Sequence, residues 1–169
     1  IRHIYSEIYS TEVDAYGVNP ALFGIEDDSE FVAAVGQEPL RIIQEVAVTD
    51  LPWTDIVTAD WTMANELSRQ AFLLDYPENS SGWQRSTYTD GRPMSGVLST
   101  NGMWMRFTST VSNMNRTRAN ALSRLTLCYD YLSRPIEFSR DLDLLDEEAT
   151  NAAIKNDPAC INCHNSLDP

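Results

Sequence analysis

Residues 157–164 read DPACINCH, and this stretch determines how the rest of the chain is organised. Cys160 and Cys163 are three positions apart, one turn of a helix, and His164 follows directly. C-x-x-C-H is the attachment signature of a c-type haem. The spacing therefore predicts one haem c per chain, held by thioethers from both cysteines. His164 is the predicted proximal iron ligand, through Nε2.

Two other interpretations of the cysteine pair are open. A C-x-x-C can be a redox dithiol, although no βαβ pattern precedes it here. It can also be half of a zinc site, although a second pair of ligands is missing from the sequence. The flanking residues favour a short helix that carries the motif, because Asp157 is a good helix N-cap and Pro158 is preferred at the first helical position.

Length and charge restrict the function classes. The chain has 169 residues, of which 43% are hydrophobic, enough for one helical module over residues 1–169. Its formal net charge is −13, which argues against a nucleic-acid partner and suits a basic redox partner protein or a neighbouring haem domain. No apolar run is long enough to span a membrane. An oligomer or larger assembly is left open.

The ends of the sequence suggest a segment of a longer, exported protein. The chain begins without Met and stops five residues after His164. Covalent haem is attached outside the bacterial cytoplasm, so we expect the periplasm or the cell exterior. No secretory signal peptide is present in the sequence, so the export signal would have to lie outside it.

Periodicity predicts a mainly α protein, an irregular helical domain with a small loop or hairpin insertion and a C-terminal haem-bearing helix. Pro39 predicts a kink in the helix over residues 30–48, or two shorter helices. The other predicted segments are a helix over 54–72, a loop or small hairpin over 76–93 with a strand-like run at 83–88, a central helix from Arg116 to Leu132, and the haem-attachment segment 146–169.

The second axial position of the iron is undetermined by the sequence. His3 is the only other histidine in the chain, and Met105 and Met114 flank the loop before the central helix. The second ligand could also be a residue beyond Pro169, or the position could be open. The remaining methionines, each of which is more typically a core gap-filler, are Met63, Met94 and Met103.

Arginines near the central helix are candidates for the haem propionates. Arg116 is the residue that we assign to this role, because a guanidinium forms bidentate hydrogen bonds with a carboxylate. Arg106 and Arg118 are similarly placed in sequence, and a salt bridge to a protein carboxylate is the alternative for all three. Cys128 is the third cysteine, and its apolar helical setting predicts a buried, unpaired core thiol.

Several phrases of the chain resemble the large planctomycete-type cytochromes, exported proteins with domains of unknown function and a C-terminal C-x-x-C-H. Residues 51–62 (LPWTDIVTADWT) are similar to that family's N-x-P-F-T-E-L-L-T-A-D-Y-T phrase. Residues 115–117 (NRT) resemble its N-R-T before a helix. Residues 157–169 resemble its ending, N-P-A-C-x-x-C-H-x-x-x-D-P.

The resemblance spans roughly residues 40–169 and implies an exported, mainly helical bacterial haem protein whose chain continues past the D-P. The chain departs from the family pattern at residues 135–138 (PIEF), where the family has proline-rich linkers. The expected function is single-electron transfer outside the cytoplasm rather than enzymatic catalysis. The alternatives are a haem enzyme or a gas- or peroxide-binding protein with an open distal site, and a haem-bearing subunit of a conductive assembly.

Overall fold

The described chain is mainly helical, which confirms the predicted fold class. The computed structural model describes residues 1–12, 19–109, 115–133, 143 and 145–167. The chain forms two compact units, residues 1–106 and 107–169. The prediction that residues 1–169 act as one module stays a prediction. None of the helices in the described ranges is both long and apolar enough to cross a membrane.

The first unit is built around its longest helix. Asp27 caps this helix by accepting hydrogen bonds from the backbone of Ser29 and Glu30. The elements of the unit are α1 (Arg2–Tyr9), α2 (Asp28–Val48), α3 (Asp55–Thr58), β1 (Thr62–Ala64), α4 (Glu66–Ala71), β2 (Leu74–Asp75), β3 (Gln84–Tyr88) and α5 (Asn101–Arg106). Single 3-10 turns lie at Pro20–Phe23 and Gly96–Ser99. Helices α1, α3, α4 and α5, together with strand β1, all pack against α2.

Helix α2 continues through Pro39, so the alternative of two shorter helices was wrong, whereas the kink stays a prediction. A proline inside a helix leaves the carbonyl four residues earlier without its usual donor, at a cost of about 3 kcal/mol. Burial offsets that cost, because Leu40, Ile43 and Val46 on the same helix are fully enclosed. The tertiary packing of the helix therefore outweighs the local preference of proline.

Gly102 on α5 allows the close approach of α5 to α2 at this proline. A Cβ built on Gly102 would overlap the carbonyl oxygen of Val35, which is the carbonyl four residues before Pro39, and would lie 3.1 Å from Pro39 Cδ. Only a residue without a side chain fits between the two helices at this point.

Replacing Gly102 with alanine should therefore destabilise the first unit. The added methyl group has to push α5 away from the Val35 carbonyl, and overpacking of this kind costs about 1–3 kcal/mol. The measurement is the free energy of unfolding in urea. Gly82→Ala is the control: a Cβ there meets nothing within 4 Å, so only its left-handed backbone (φ 69°) opposes the change. Equal losses in the two variants would contradict the packing argument.

The segment 54–72 is not one helix, which corrects the sequence prediction. Helix α3 ends at Thr58, strand β1 follows, and Asn65 then caps α4 by accepting a hydrogen bond from Ser68 N. The strand-like run predicted at 83–88 forms β3, which is the central strand of an antiparallel sheet in the order β1-β3-β2. Pairing with this distant strand, together with the capping preference of Asn65, overrides the helical periodicity.

The second unit consists of a helix, a turn and a helical pair. Helix α6 (Arg116–Leu127) is followed by a 3-10 turn at Tyr131–Ser133, and then by α7 (Glu147–Asn156) and α8 (Pro158–Leu167). Asp146 caps α7 by accepting from Glu148 N and Ala149 N, as its sequence position predicts. Helix α8 packs against both α7 and α6.

Cys128 is exposed, so the prediction of a buried core thiol was wrong. It lies just past the end of α6, where its backbone takes the left-handed conformation (φ 55°) that terminates the helix. Leu127 and Leu132, in the same apolar stretch, are also exposed.

Candidate functional site

The C-x-x-C-H motif lies on α8, and a single residue separates α8 from α7. Asp157 connects the two helices, and its carboxylate accepts a hydrogen bond from Ala159 N at 2.9 Å. Its carbonyl accepts from Cys160 N and Ile161 N at 3.0 and 2.9 Å. These bonds satisfy the first turn of α8 and fix where the helix begins. The helical setting predicted for the motif is therefore present.

The three motif side chains share one face of α8. Positions 160, 163 and 164 are related by the spacings that place side chains side by side on a helix. Cys160, Cys163 and His164 are each half-buried, whereas the side chains of Asn162 and Asn165 on the same helix are exposed. The motif side chains thus lie on a less exposed side of α8.

Both cysteines carry free thiols. Burial raises the pKa of the Cys160 thiol, and the nearby Asp157 carboxylate and Cys163 thiol raise it further. A redox dithiol requires the opposite, a thiolate stabilised by a lowered pKa. The sheet of the described chain is also antiparallel rather than the βαβ arrangement of such proteins. The geometry and the electrostatics both disfavour the dithiol interpretation.

A zinc site has no support in the described ranges. Within residues 1–12, 19–109, 115–133, 143 and 145–167, no group of three or more His, Cys, Asp or Glu side chains is arranged to hold a metal ion. The residues on α8 do fit a covalently attached haem. Two free thiols and one imidazole on a single half-buried helical face are the donor set that this group needs.

The three arginines proposed to bind the haem propionates do not all lie in the same unit. Arg116 is half-buried at the start of α6, a helix that contacts α8. Arg118 Nε donates to the carbonyl of Phe107 at 2.8 Å. Arg106 belongs to the first unit, where its Nε donates to the carbonyl of Ser10 at 2.9 Å. We keep Arg116 for this role because it lies on a helix that contacts α8.

Most candidates for the second axial position lie in the first unit. Met105 packs against a cluster of Ile25, Phe31 and Val35, which is the gap-filling role of a flexible thioether. His3 is exposed on α1. Met114 lies outside the described residues, and it is the only methionine of the second unit. Of the others, Met63 and Met103 are buried and Met94 is half-buried.

Glu38 is a buried carboxyl group that the sequence patterns did not single out. It lies on α2 in the same helical row as the buried side chains of Phe31, Val35 and Ile42. An acidic residue within an otherwise apolar row is the signal that could have identified it.

Comparison with known proteins gives no relative. No protein-family model matches the chain, and neither a curated protein nor a solved structure is detectably similar to it. The resemblance to planctomycete-type cytochromes therefore stays an expectation from the sequence phrases.

Proposed function

We propose that this chain is a c-type cytochrome that carries one covalent haem and transfers single electrons outside the cytoplasm. The observation that carries the proposal is the placement of Cys160, Cys163 and His164 on one half-buried face of a capped helix, with both thiols free. Each cysteine Sγ would form a thioether with a vinyl group, and His164 Nε2 would bind the iron. When bound, the haem supplies a one-electron redox couple.

The chain's own residues would orient this group. Asp157 fixes the start of α8, so the spacing of the two thiols is set by the helix before haem is attached. Because α6 contacts α8, Arg116 is on a helix beside the motif, where its guanidinium could pair with a propionate. The acidic surface, with a net charge of −13, suits a basic redox partner or a neighbouring haem domain.

The second axial ligand separates electron transfer from other haem functions. A strong ligand on the distal side gives an electron carrier, and an open position gives gas or peroxide binding. Within residues 107–169, His164 is the only histidine and Met114 is the only methionine. Met114 is the candidate for the second ligand that this part of the sequence contains, and a filled distal position would make the chain an electron carrier rather than a haem enzyme.

The test is an optical spectrum of the exported, dithionite-reduced protein with and without carbon monoxide. We expect low-spin bands that carbon monoxide does not change, because the distal position is filled. Met114→Ala should open that position and let carbon monoxide shift the spectrum. Met94→Ala, in the first unit, is the matched control and should behave like the unmodified chain. A parent spectrum that already shifts with carbon monoxide would instead favour the haem enzyme or sensor.

Two further points of the proposal follow from the chemistry of attachment. Localisation in the bacterial periplasm or at the cell exterior is proposed because haem is attached covalently there. The alternative of a haem-bearing subunit in a conductive assembly requires the haem edge to be buried between copies. Dependence of the spectrum or of the sedimentation coefficient on protein concentration would distinguish it from a monomeric carrier.

A further inference from the structure

The first unit contains a carboxyl group enclosed at the centre of its longest helix. Glu38 on α2 is 2% exposed. Its Oε1 accepts hydrogen bonds from Thr62 Oγ1 at 2.6 Å and from Tyr88 Oη at 2.5 Å, and its Oε2 accepts from Asn101 N at 3.2 Å. These donors belong to β1, to β3 and to the first residue of α5. One carboxyl group therefore connects four elements of the unit.

Glu38 has no ion-pair partner among the described residues. The nearby cation is Arg92, whose guanidinium lies over the Tyr88 ring at 3.8 Å and pairs with Asp90 Oδ2 at 2.5 Å. Arg92 Nη1 also donates to Ser99 O and Asn101 Oδ1, each at 3.0 Å. The charge of an ionised Glu38 is thus balanced mainly by hydrogen bonds. A buried charge in that position is costly.

The groups that face Glu38 from the packed elements are few. Tyr88 on β3 and Arg92 after it are the titratable or charged ones, and β1 and α5 contribute only Thr62 and the backbone of Asn101. Burial and the neighbouring Glu38 raise the pKa of Tyr88 strongly, so its hydroxyl stays protonated and keeps donating. Glu38 is therefore the member of the cluster that gains and loses a proton.

We propose that Glu38 is a pH-sensitive link between α2, β3 and α5. It binds a proton in the folded chain, and its ionisation makes the separation of β3 and α5 from α2 more favourable. This proposal is independent of the haem, because every residue in it lies in the first unit.

The direction of the pH effect follows from the burial of the carboxyl group. Burial raises the pKa of Glu38 from 4.5 to about 7, against the opposing effect of the three donors and Arg92. Between these two values the folded chain holds a proton that the unfolded chain has released. The contribution to stability is complete below the unfolded pKa and is lost as the pH rises through the folded pKa.

Ser86 supplies a further buried hydroxyl on the sheet face that carries Thr62, but it makes no hydrogen bond to Glu38. Ser86 pairs with Thr62 in the β1–β3 ladder, so both side chains lie on the same face of the sheet. Ser86 Oγ is buried and has no hydrogen-bond partner in the described part of the chain. A protonated Glu38 can donate its hydrogen to a hydroxyl that already contacts it, since the oxygens of Thr62 and Tyr88 can accept as well as donate.

The first test is a pH titration of the carboxyl groups of the chain, monitored by infrared difference spectroscopy or by NMR of labelled glutamate. We expect one buried carboxyl to titrate near pH 7 in the folded protein, and Glu38→Gln to remove it. Glu30→Gln, an exposed site on the same helix, is the matched control and should leave it unchanged. Absence of such a group between about pH 5 and pH 9 would overturn the proposal.

Variants that remove a hydrogen-bond donor to Glu38 test the proposal even if Glu38→Gln does not fold. Thr62→Val and Tyr88→Phe each remove a hydrogen bond to the carboxylate, so the titration midpoint should move to higher pH. Thr87→Val makes the same change as Thr62→Val at an exposed site on β3 and should not move it. Midpoints that stay the same or fall in both donor variants would contradict the assigned cluster.

The second test measures how often α5 separates from α2. Hydrogen exchange at Asn101 N, corrected for the intrinsic effect of pH, reports how often α5 separates from Glu38. The opening constant should rise roughly 70-fold between about pH 5 and pH 8, because Glu38 ionises more readily once α5 has separated and water reaches it. In Glu38→Gln the corrected constant should be independent of pH. A pH-independent constant in the unmodified chain would show that Glu38 is only a structural link.

Discussion

Replacing both Cys160 and Cys163 with alanine should abolish covalent haem attachment completely. The two thioethers are the only covalent bonds that the proposed site makes with the porphyrin, so haem without them can leave the denatured chain. Each single variant should retain haem through the remaining thioether, with a shifted absorption maximum because one vinyl group stays unsaturated. The measurement is the amount of haem that remains with the polypeptide after denaturation and solvent extraction.

Cys128→Ala is the matched control for this experiment. Cys128 is the third thiol of the chain, and it is exposed past the end of α6 rather than on the motif face of α8. Haem content should be unchanged in this variant. A loss of haem on replacing Cys128, or haem retained by the double variant, would contradict the assignment of Cys160 and Cys163.

The second unit should gain most of its stability from haem attachment. Among its described residues, the buried apolar side chains are those of Phe107, Ala121 and Leu167. Leu127, Leu132 and Leu145 are 73%, 75% and 96% exposed. The buried side chains of the described residues thus offset only part of the conformational entropy of the three helices. A large planar apolar group bound on the motif face of α8 would supply the missing buried surface.

Hydrogen exchange of the full chain, with and without attached haem, measures this effect. Covering one leucine-sized apolar side chain contributes about 2 kcal/mol, which corresponds to roughly 30-fold in amide protection. We therefore expect amides of α7 and α8 to become protected by at least about this factor when haem is attached. Amides in the core of α2 provide the internal control and should be protected equally in both forms. Equal exchange of α8 in both forms would contradict the prediction.

Local signals in the sequence predicted the parts of the fold that depend on neighbouring residues. Asp146 and Asp157 each mark the start of a helix because their side chains accept from backbone N–H groups two or three positions ahead. The strand-like run at residues 83–88 likewise predicted β3. The position of the motif on α8 was predictable for the same reason, since every residue that fixes it lies within one helical turn.

The elements that the sequence did not predict depend on distant partners. Strand β1 exists because residues 84–86 pair with it, and nothing near Met63 in sequence indicates that pairing. Helix α2 passes through Pro39 because Gly102, 63 positions later, leaves space beside it. The Glu38 cluster joins residues from positions 38 to 101, so only the acidic residue in an apolar row was visible beforehand.

The measurement that tests the central claim most directly is the haem content of the denatured, extracted chain. The protein would be exported in a bacterial host that attaches haem to C-x-x-C-H motifs, then denatured and extracted with acidified acetone. The remaining polypeptide would be reduced in alkaline pyridine for its absorption spectrum. The account predicts one haem per chain, retained by the polypeptide after extraction. A colourless polypeptide, with the haem in the extract or never present, would contradict it.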